Sequence, residues 1–356
     1  VSKRVTAKEI AEELGISMMT VSRALNNRPN VKEETRKKVI ETAARMGYSP
    51  NHVARSLVKQ KTETLGVVVP KITHSFFPEV IRGIEEISYS SGYHLILTHS
   101  AEDFEQEKDA LQTLESKRVD GILISTAQTV EDYDIYERLA KLGVPMVFFD
   151  RCVFNIGVSC VTVDDERGAR RMTRHLIEHG YQRIAHISGP SRVSIGRYRL
   201  SGYRKELEEH GLPYDESLVV EAGFQEEDGY EAMKRLLALP DTRRPDAVFA
   251  VNDASAFGAI KAIKEANFRI PDDIAIGGFT DDIRAELLEV PLTTIRQPAY
   301  EIGKKAAQQV IELIEGKSNT VNEIIVQTEL VIRRSCGCDV ESQSPLLSES
   351  SAVGAK

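Results

Sequence analysis

From Thr64 onward, apolar runs of strand length recur with amphipathic stretches between them, and this alternation restricts the chain to a layered α/β fold. LGVVVP at 65–70, YHLILTH at 93–99, GILIST at 121–126 and VPMVFFD at 144–150 read as buried parallel strands. Helices fall between them near Pro78 to Ser91, Glu105 to Ser116 and Val130 to Leu142. A second series follows: VTVDD at 161–165, a helix to His179, IAHISG at 184–189, a helix through Arg197 to His210, AVFAVND at 247–253, a helix to Ala266 and IAIGGF at 274–279. Ala299 to Gly316 reads as an amphipathic helix and IIVQTELVIRRS at 324–335 as paired final strands. Two such lobes put a ligand site in the cleft between them, where the C-terminal ends of parallel strands converge.

The chain before Thr64 follows a different pattern. Val5 to Asn27 reads as a helix-turn-helix. Thr6 and Glu9 form a capping box, Ile10, Ala11 and Leu14 give an apolar stripe, and Gly15 ends the first helix. Ser17 caps a second helix whose Val21, Ala24 and Leu25 face inward, leaving Met18, Met19, Ser22 and Arg23 outward. Val31 to Met46 supplies a third helix, with Val39, Ile40, Ala43 and Met46 closing a small core. Residues 1–61 hold 13 lysines and arginines against 6 acidic residues, a local +7 that leaves −15 on the rest. That is the charge split of a basic DNA module on an acidic body. Asn51 to Leu57 offers one or two helical turns, too few to stand without a partner copy or a DNA groove.

The segments ISMMTVSRALNN, GYSPN and Asn51-x-x-Ala54-Arg55-x-Leu57, with body motifs to about Ser335, closely resemble the LacI/GalR family of bacterial repressors. The resemblance implies an N-terminal three-helix DNA-binding domain at 1–47 and a hinge helix and linker at 48–61. It also implies two Rossmann-like lobes of the periplasmic-binding-protein type I fold, one combining 62–162 with 296–326 and the other 163–295 with 327–338. Residues 339–356 form a Ser-rich tail expected to be disordered. In such a protein the hinge enters the minor groove as a pair, with Ala54 and Arg55 alongside, and Leu57 wedges between base pairs and bends the duplex.

Residue chemistry assigns the DNA contacts. Arg23 suits a two-pronged contact to guanine, while Met18 and Met19 offer apolar contact to thymine methyls or, alternatively, pack against the third helix. Ser17, Thr20 and Ser22 fit the edge of the major groove, and Thr6, Asn30 and Asn51 fit backbone phosphates. One helix-turn-helix reads few base pairs, so a homodimer on a roughly palindromic operator in double-stranded DNA is expected.

For the cleft, the resemblance points to Asp150 at the end of FFD, Arg199 in RYRLSGY, Asn252 in VND and Gln297 in PLTTIRQP, and by side-chain chemistry Phe76 or Phe77 can cover an apolar ligand face. The family's GYDD or GFDD pattern is GFTD here, so Thr280 precedes Asp281 where a carboxylate is usual. Each acidic or amide residue at a strand end also reads as a loop cap. Together they suit a small polar effector: a sugar, a sugar phosphate or a heterocycle. Control by a partner phosphoprotein is the alternative.

Other classes fit less well. No GxGxxG or GxxxxGK loop, nucleophile elbow or convincing metal set occurs, so neither an enzyme nor a cofactor is expected. A pure solute-binding protein would not carry residues 1–60. No apolar run reaches spanning length, and a cytoplasmic location without membrane partners is expected. Cys152, Cys160, Cys336 and Cys338 lack the spacing of a disulfide scaffold. Cys336 and Cys338 have no further ligand of plausible spacing nearby and read as an incidental reduced pair, and the histidines read as structural.

Overall fold

The computed structural model describes residues 5–48, 61–73, 75–318 and 320–338. The chain divides into two compact units, Val1–Thr62 and Glu63–Lys356. The tail from 339 and the hinge positions Asn51, Ala54, Arg55 and Leu57 lie outside the described residues.

The first unit is three helices: α1 (Ala7–Leu14), α2 (Met18–Leu25) and α3 (Glu33–Arg45). Ile10, Ala11, Val21, Ala24, Val39 and Ala43 form its core. Ile40, expected there, is 51% exposed, because Val39, Thr42 and Ala43 occupy the inward face of α3. The positive φ of Gly15 (63°) supplies the left-handed turn that ends α1. Arg36 then locks α3 to the C-terminal end of α2, donating to the Ala24 carbonyl at 3.2 Å and the Arg28 carbonyl at 2.9 Å.

The second unit contains two six-stranded sheets. The first takes β1 (Thr64–Val69), β2 (His94–His99), β3 (Gly121–Ile124), β4 (Met146–Phe149), β5 (Ser159–Val163) and β11 (Glu323–Val326) in the order β11-β5-β4-β3-β1-β2, all parallel. Helices α4 (Phe76–Ser90), α5 (Phe104–Ser116) and α6 (Asp134–Lys141) connect its early strands. The second takes β6 (Ile184–Ser188), β7 (Val219–Glu221), β8 (Ala247–Ala250), β9 (Ala275–Thr280), β10 (Thr293–Arg296) and β12 (Glu329–Val331) in the order β12-β10-β9-β8-β6-β7. Only β12 runs antiparallel in it. Its helices are α7 (Asp165–Glu178), α8 (Ser194–Glu209), α9 (Glu226–Leu237) and α10 (Asp253–Glu265).

After β10 the chain returns as α11 (Ala299–Ile314), which packs on α4 and on β3 to β5 of the first sheet. That packing brings backbones close: a side chain on Gly83 would strike the Tyr300 carbonyl, and one on Gly303 the Val80 carbonyl. The two final strands do not pair with each other, since β11 joins β5 and β12 joins β10.

Three other expectations need correction. β2 is parallel but not buried, because it is the edge strand and Leu97 is 46% exposed. β7 and α9 fill a stretch for which the sequence pattern assigns no element. α9 opens with Glu226, Glu227 and Asp228, so its buried stripe begins late, and β7 is a three-residue, half-buried edge. Cys152 and Cys160 form a disulfide, with Cα atoms 6.0 Å apart, because the adjacent strands β4 and β5 align the loop after one with the start of the other.

Candidate functional site

α2 carries the outward face of the first unit. Ser17 closes its N-terminus: Oγ accepts from the Thr20 N–H at 3.1 Å and lies 2.9 Å from the Thr20 hydroxyl. With Val21 and Ala24 inward, helical periodicity sends Met18, Met19, Ser22 and Arg23 outward, and Thr20 is half-buried. The methionines are 59% and 62% exposed, so they do not serve as packing against α3. Thr6 is exposed but occupied. Its hydroxyl donates to Glu9 Oε2 at 3.2 Å and accepts the Glu9 N–H at 3.3 Å, while its own N–H donates to the same carboxylate at 2.8 Å. A phosphate contact from Thr6 competes with that cap. Asn30 is exposed, with φ 69°.

In the second unit, the strand ends of both sheets surround a cavity with about 530 Å³ of free space, part of it open to solvent. Phe76, Phe77, Asp150, Arg199, Asn252, Thr280 and Gln297 all line it. Phe76 and Phe77 meet edge to face, with ring centroids 5.2 Å apart. Gln297, leaving β10, is the hub. Its Nε2 donates to Asp150 Oδ1 at 3.1 Å, and its Oε1 accepts from Arg199 at 3.4 Å and from the Thr280 hydroxyl at 3.3 Å. One buried amide therefore joins the end of β4 in the first sheet to α8 and β9 in the second.

Arg199 is directed inward. It donates to Asp165 at 2.8 Å, to the Val251 carbonyl at 2.6 Å and to Gln297, and it lies 3.6 Å from the Phe279 ring centroid. The expected fork to a ligand is thus engaged by the protein. Asn252 is the N-cap of α10, accepting from the Ser255 N–H at 2.8 Å while donating to the Phe224 carbonyl at 3.0 Å. Asp281 does not line the cavity. Its carboxylate receives Arg296 at 2.7 Å and Arg333 at 2.8 Å, and it borders a neighbouring groove, whereas Asp282 faces the cavity. Asp150, Thr280 and Asp281 have φ values of 60°, 135° and 64°, so left-handed backbone aims the residues at these strand ends.

Residues that motif reading missed, Arg151, Glu102, Lys71 and Gln225, complete the lining together with Asp253. Arg151 grips Glu102 through paired hydrogen bonds of 2.7 and 3.0 Å and sits 4.2 Å from the Phe224 ring centroid. Lys71 donates to Gln225, and Asp253 accepts from the Thr294 hydroxyl at 2.6 Å and the Asp282 N–H at 2.7 Å. Arg151 directly follows FFD, a usable signal, and Asp253 ends VND, one of the strand-end acidic residues read from the sequence, whereas Glu102 is brought in only by the fold. Burial pushes the carboxyl of Asp165 up to about 6, against the pull of Arg199. It pushes Asp253 up to about 7. Asp150 is raised by burial too, opposed by Arg151 and Arg199.

A capped helix displaying free side chains, carried on the same chain as a two-lobed body around a polar cleft, defines a ligand-controlled DNA-binding regulator. Residues 6–51 match the family described as bacterial regulatory proteins, lacI family, and residues 62–334 match the periplasmic binding proteins and sugar binding domain of LacI family. Catabolite control protein A of Priestia megaterium is 36% identical over 324 residues, which cover 91% of this chain and 96% of that protein. The HTH-type transcriptional repressor PurR of Photobacterium profundum is 36% identical over 331 residues, 93% of this chain and 98% of that one. The lac repressor dimer bound to operator and the anti-inducer ONPF superposes with a TM-score of 0.82 at 27% identity, covering 94% of this chain and 99% of that one. The chain belongs to the LacI family. It is a homodimeric, sequence-specific DNA-binding repressor, and not an enzyme.

Proposed function

We propose that α2 enters the major groove with Arg23 forked onto a guanine and Met18 and Met19 against thymine methyls. Ser17, Thr20 and Ser22 line the groove edge, Asn30 and Asn51 meet phosphates, and Ala54, Arg55 and Leu57 form the minor-groove hinge. The moving parts are the lobes 62–162 with 296–326 and 163–295 with 327–338. The cleft takes a small polar molecule of carbohydrate type whose hydroxyls donate to Asp150, with Phe76 and Phe77 against its apolar face.

The bridge through Gln297 supports this reading most strongly, because it ties Asp150 in one sheet to Arg199 and Thr280 in the other. A ligand hydroxyl that engages Asp150 replaces one arm of the bridge. It then binds two lobe arrangements with different affinity, which is the requirement for shifting the equilibrium between them. Selecting operators from random duplexes, then titrating the selected duplex with sugars, sugar phosphates and nucleobases, tests this. At least one compound should change operator affinity, and Asp150→Asn should abolish that change. If operator affinity ignores every small molecule yet responds to an added phosphoprotein, with Asp150→Asn neutral, the cleft reading fails and control by a protein partner replaces it.

A further inference from the structure

The C-terminal segment after β12 carries Cys336-Gly337-Cys338, and the last turn of α7 carries His175, with His179 as the helix C-cap. More than 150 residues separate the pairs in sequence, but the fold brings them together. Cys338 Sγ lies 2.8 Å from His179 Nε2, 3.7 Å from His175 Nε2 and 3.2 Å from Cys336 Sγ. The donor atoms of His175, Cys336 and Cys338 all lie within 4.8 Å of one another, and His179 adjoins them through Cys338. The two cysteines, for which spacing along the chain offers no further ligand, thus have two imidazoles beside them in space.

From this geometry we infer a Cys2His2 site for zinc, made by Cys336, Cys338, His175 and His179, that staples the C-terminal segment to the end of α7. Zinc bonds of about 2.3 Å to sulfur and about 2.0 Å to nitrogen put tetrahedral donor atoms roughly 3.3–3.8 Å apart, and the separations of 2.8, 3.2 and 3.7 Å from Cys338 Sγ to the other three donor atoms fall around that spacing. Two thiolates with two imidazoles select a borderline-soft ion over magnesium or calcium.

The surroundings are built in the way such a site needs. The i, i+4 spacing puts both imidazoles on one face of the helix end, with ring centroids 4.3 Å apart. His179 Nδ1 sits 2.8 Å from the His175 carbonyl, so its N–H donates there and Nε2 keeps its lone pair for the sulfur side. Gly337, at φ 88°, reverses the chain between the two cysteines, and the Tyr181 hydroxyl donates to the Cys336 carbonyl at 3.1 Å. The Thr293 hydroxyl lies 3.0 Å from Cys336 Sγ, placed to donate to a thiolate. Ser335, next to Cys336, donates to the Ile276 carbonyl at 2.6 Å and fixes the segment against β9. The same helix begins at Asp165, the partner of Arg199 in the cleft.

The test is a Co2+ titration of the reduced full-length chain under anaerobic conditions. One equivalent should bind with a thiolate-to-cobalt charge-transfer band and the intense visible bands of a tetrahedral ion, and Zn2+ should displace it. Cys338→Ser should remove the charge-transfer intensity, and His179→Gln should weaken Co2+ binding at least about tenfold. Both positions are less buried than Cys336, and circular dichroism with operator binding checks that the variants fold. Absence of the charge-transfer band in the reduced parent chain overturns the inference, and so does an unchanged band in a folded Cys338→Ser protein. A Cys336–Cys338 disulfide that, once reduced, leaves a chain unable to bind Co2+ overturns it as well.

Discussion

The outward face of α2 and the interlobe cleft handle polar side chains in opposite ways. On α2, Arg23 has no protein partner among the described residues and the two methionines stand in solvent above a core of small apolar side chains. In the cleft, Arg199, Asp150, Gln297 and Asp253 are buried and bonded to one another, to the Thr294 hydroxyl or to the backbone. A surface of the first kind is a reader. It adds contacts to DNA without breaking internal ones, and its specificity follows from side-chain type. A site of the second kind is a switch. A ligand must replace bonds already made, so its effect is a difference between two satisfied arrangements.

The largest effect that would test this contrast is on stability. Arg199→Ala leaves Asp165 buried without its cation, and breaking such a pair costs about 3–5 kcal/mol. Urea unfolding should show that loss, while Arg23→Ala should change stability by less than about 0.5 kcal/mol because its side chain touches nothing that folding organises. Equal costs at the two positions would erase the distinction.

Acidity sharpens it next. The carboxyl of Asp253 is raised from 3.8 to about 7 in the folded protein. The folded state therefore holds a proton that the unfolded chain has already released between those values. Asp253 favours folding most below pH 3.8, and its contribution is lost as pH rises toward 7, by no more than about 1.4 kcal/mol per pH unit for one proton. Unfolding measured from pH 4 to 7.5 should show the parent losing stability relative to Asp253→Asn across that window. Parallel curves would mean that the cleft carboxylate is ionised throughout.

The same contrast explains what could be read from the sequence. Features that are local along one helix or strand were legible: the Thr6–Glu9 capping box, the Ser17 cap, the inward triplet of α2 and most of the strand–helix alternation all depend on neighbours within a few residues. Exposure at a sheet edge was not, because β2 has the composition of a buried strand and only the strand order leaves it unpaired on one side. Glu102 reaches Arg151 across 49 residues and the histidines of α7 reach Cys338 across about 160, pairings to which spacing gives no clue. Asp281 and Asp282 are the hardest case, since a single residue of backbone, with Asp281 at φ 64°, decides which carboxylate faces the cavity.

On the reading side, Arg23→Ala should cost about 1–3 kcal/mol of discrimination at one base pair per half-site. Competition binding against duplexes substituted at each position measures this. Uniform weakening across all sequences would reassign Arg23 to phosphate contact and leave base reading to the methionines and the groove-edge hydroxyls.

The smallest effect separates two roles at Thr6. Its hydroxyl already closes the start of α1, so Thr6→Ala should destabilise the helical unit by about 1 kcal/mol through loss of the cap. Thr6→Ser keeps an oxygen at the same place and should restore stability. If operator affinity falls in the alanine variant only as far as the loss of folded protein accounts for, Thr6 belongs to the scaffold. A further loss, equal for every duplex and recovered by serine, would place a phosphate on the same hydroxyl and make it a polar group that, like those of the cleft, exchanges an internal bond for an external one.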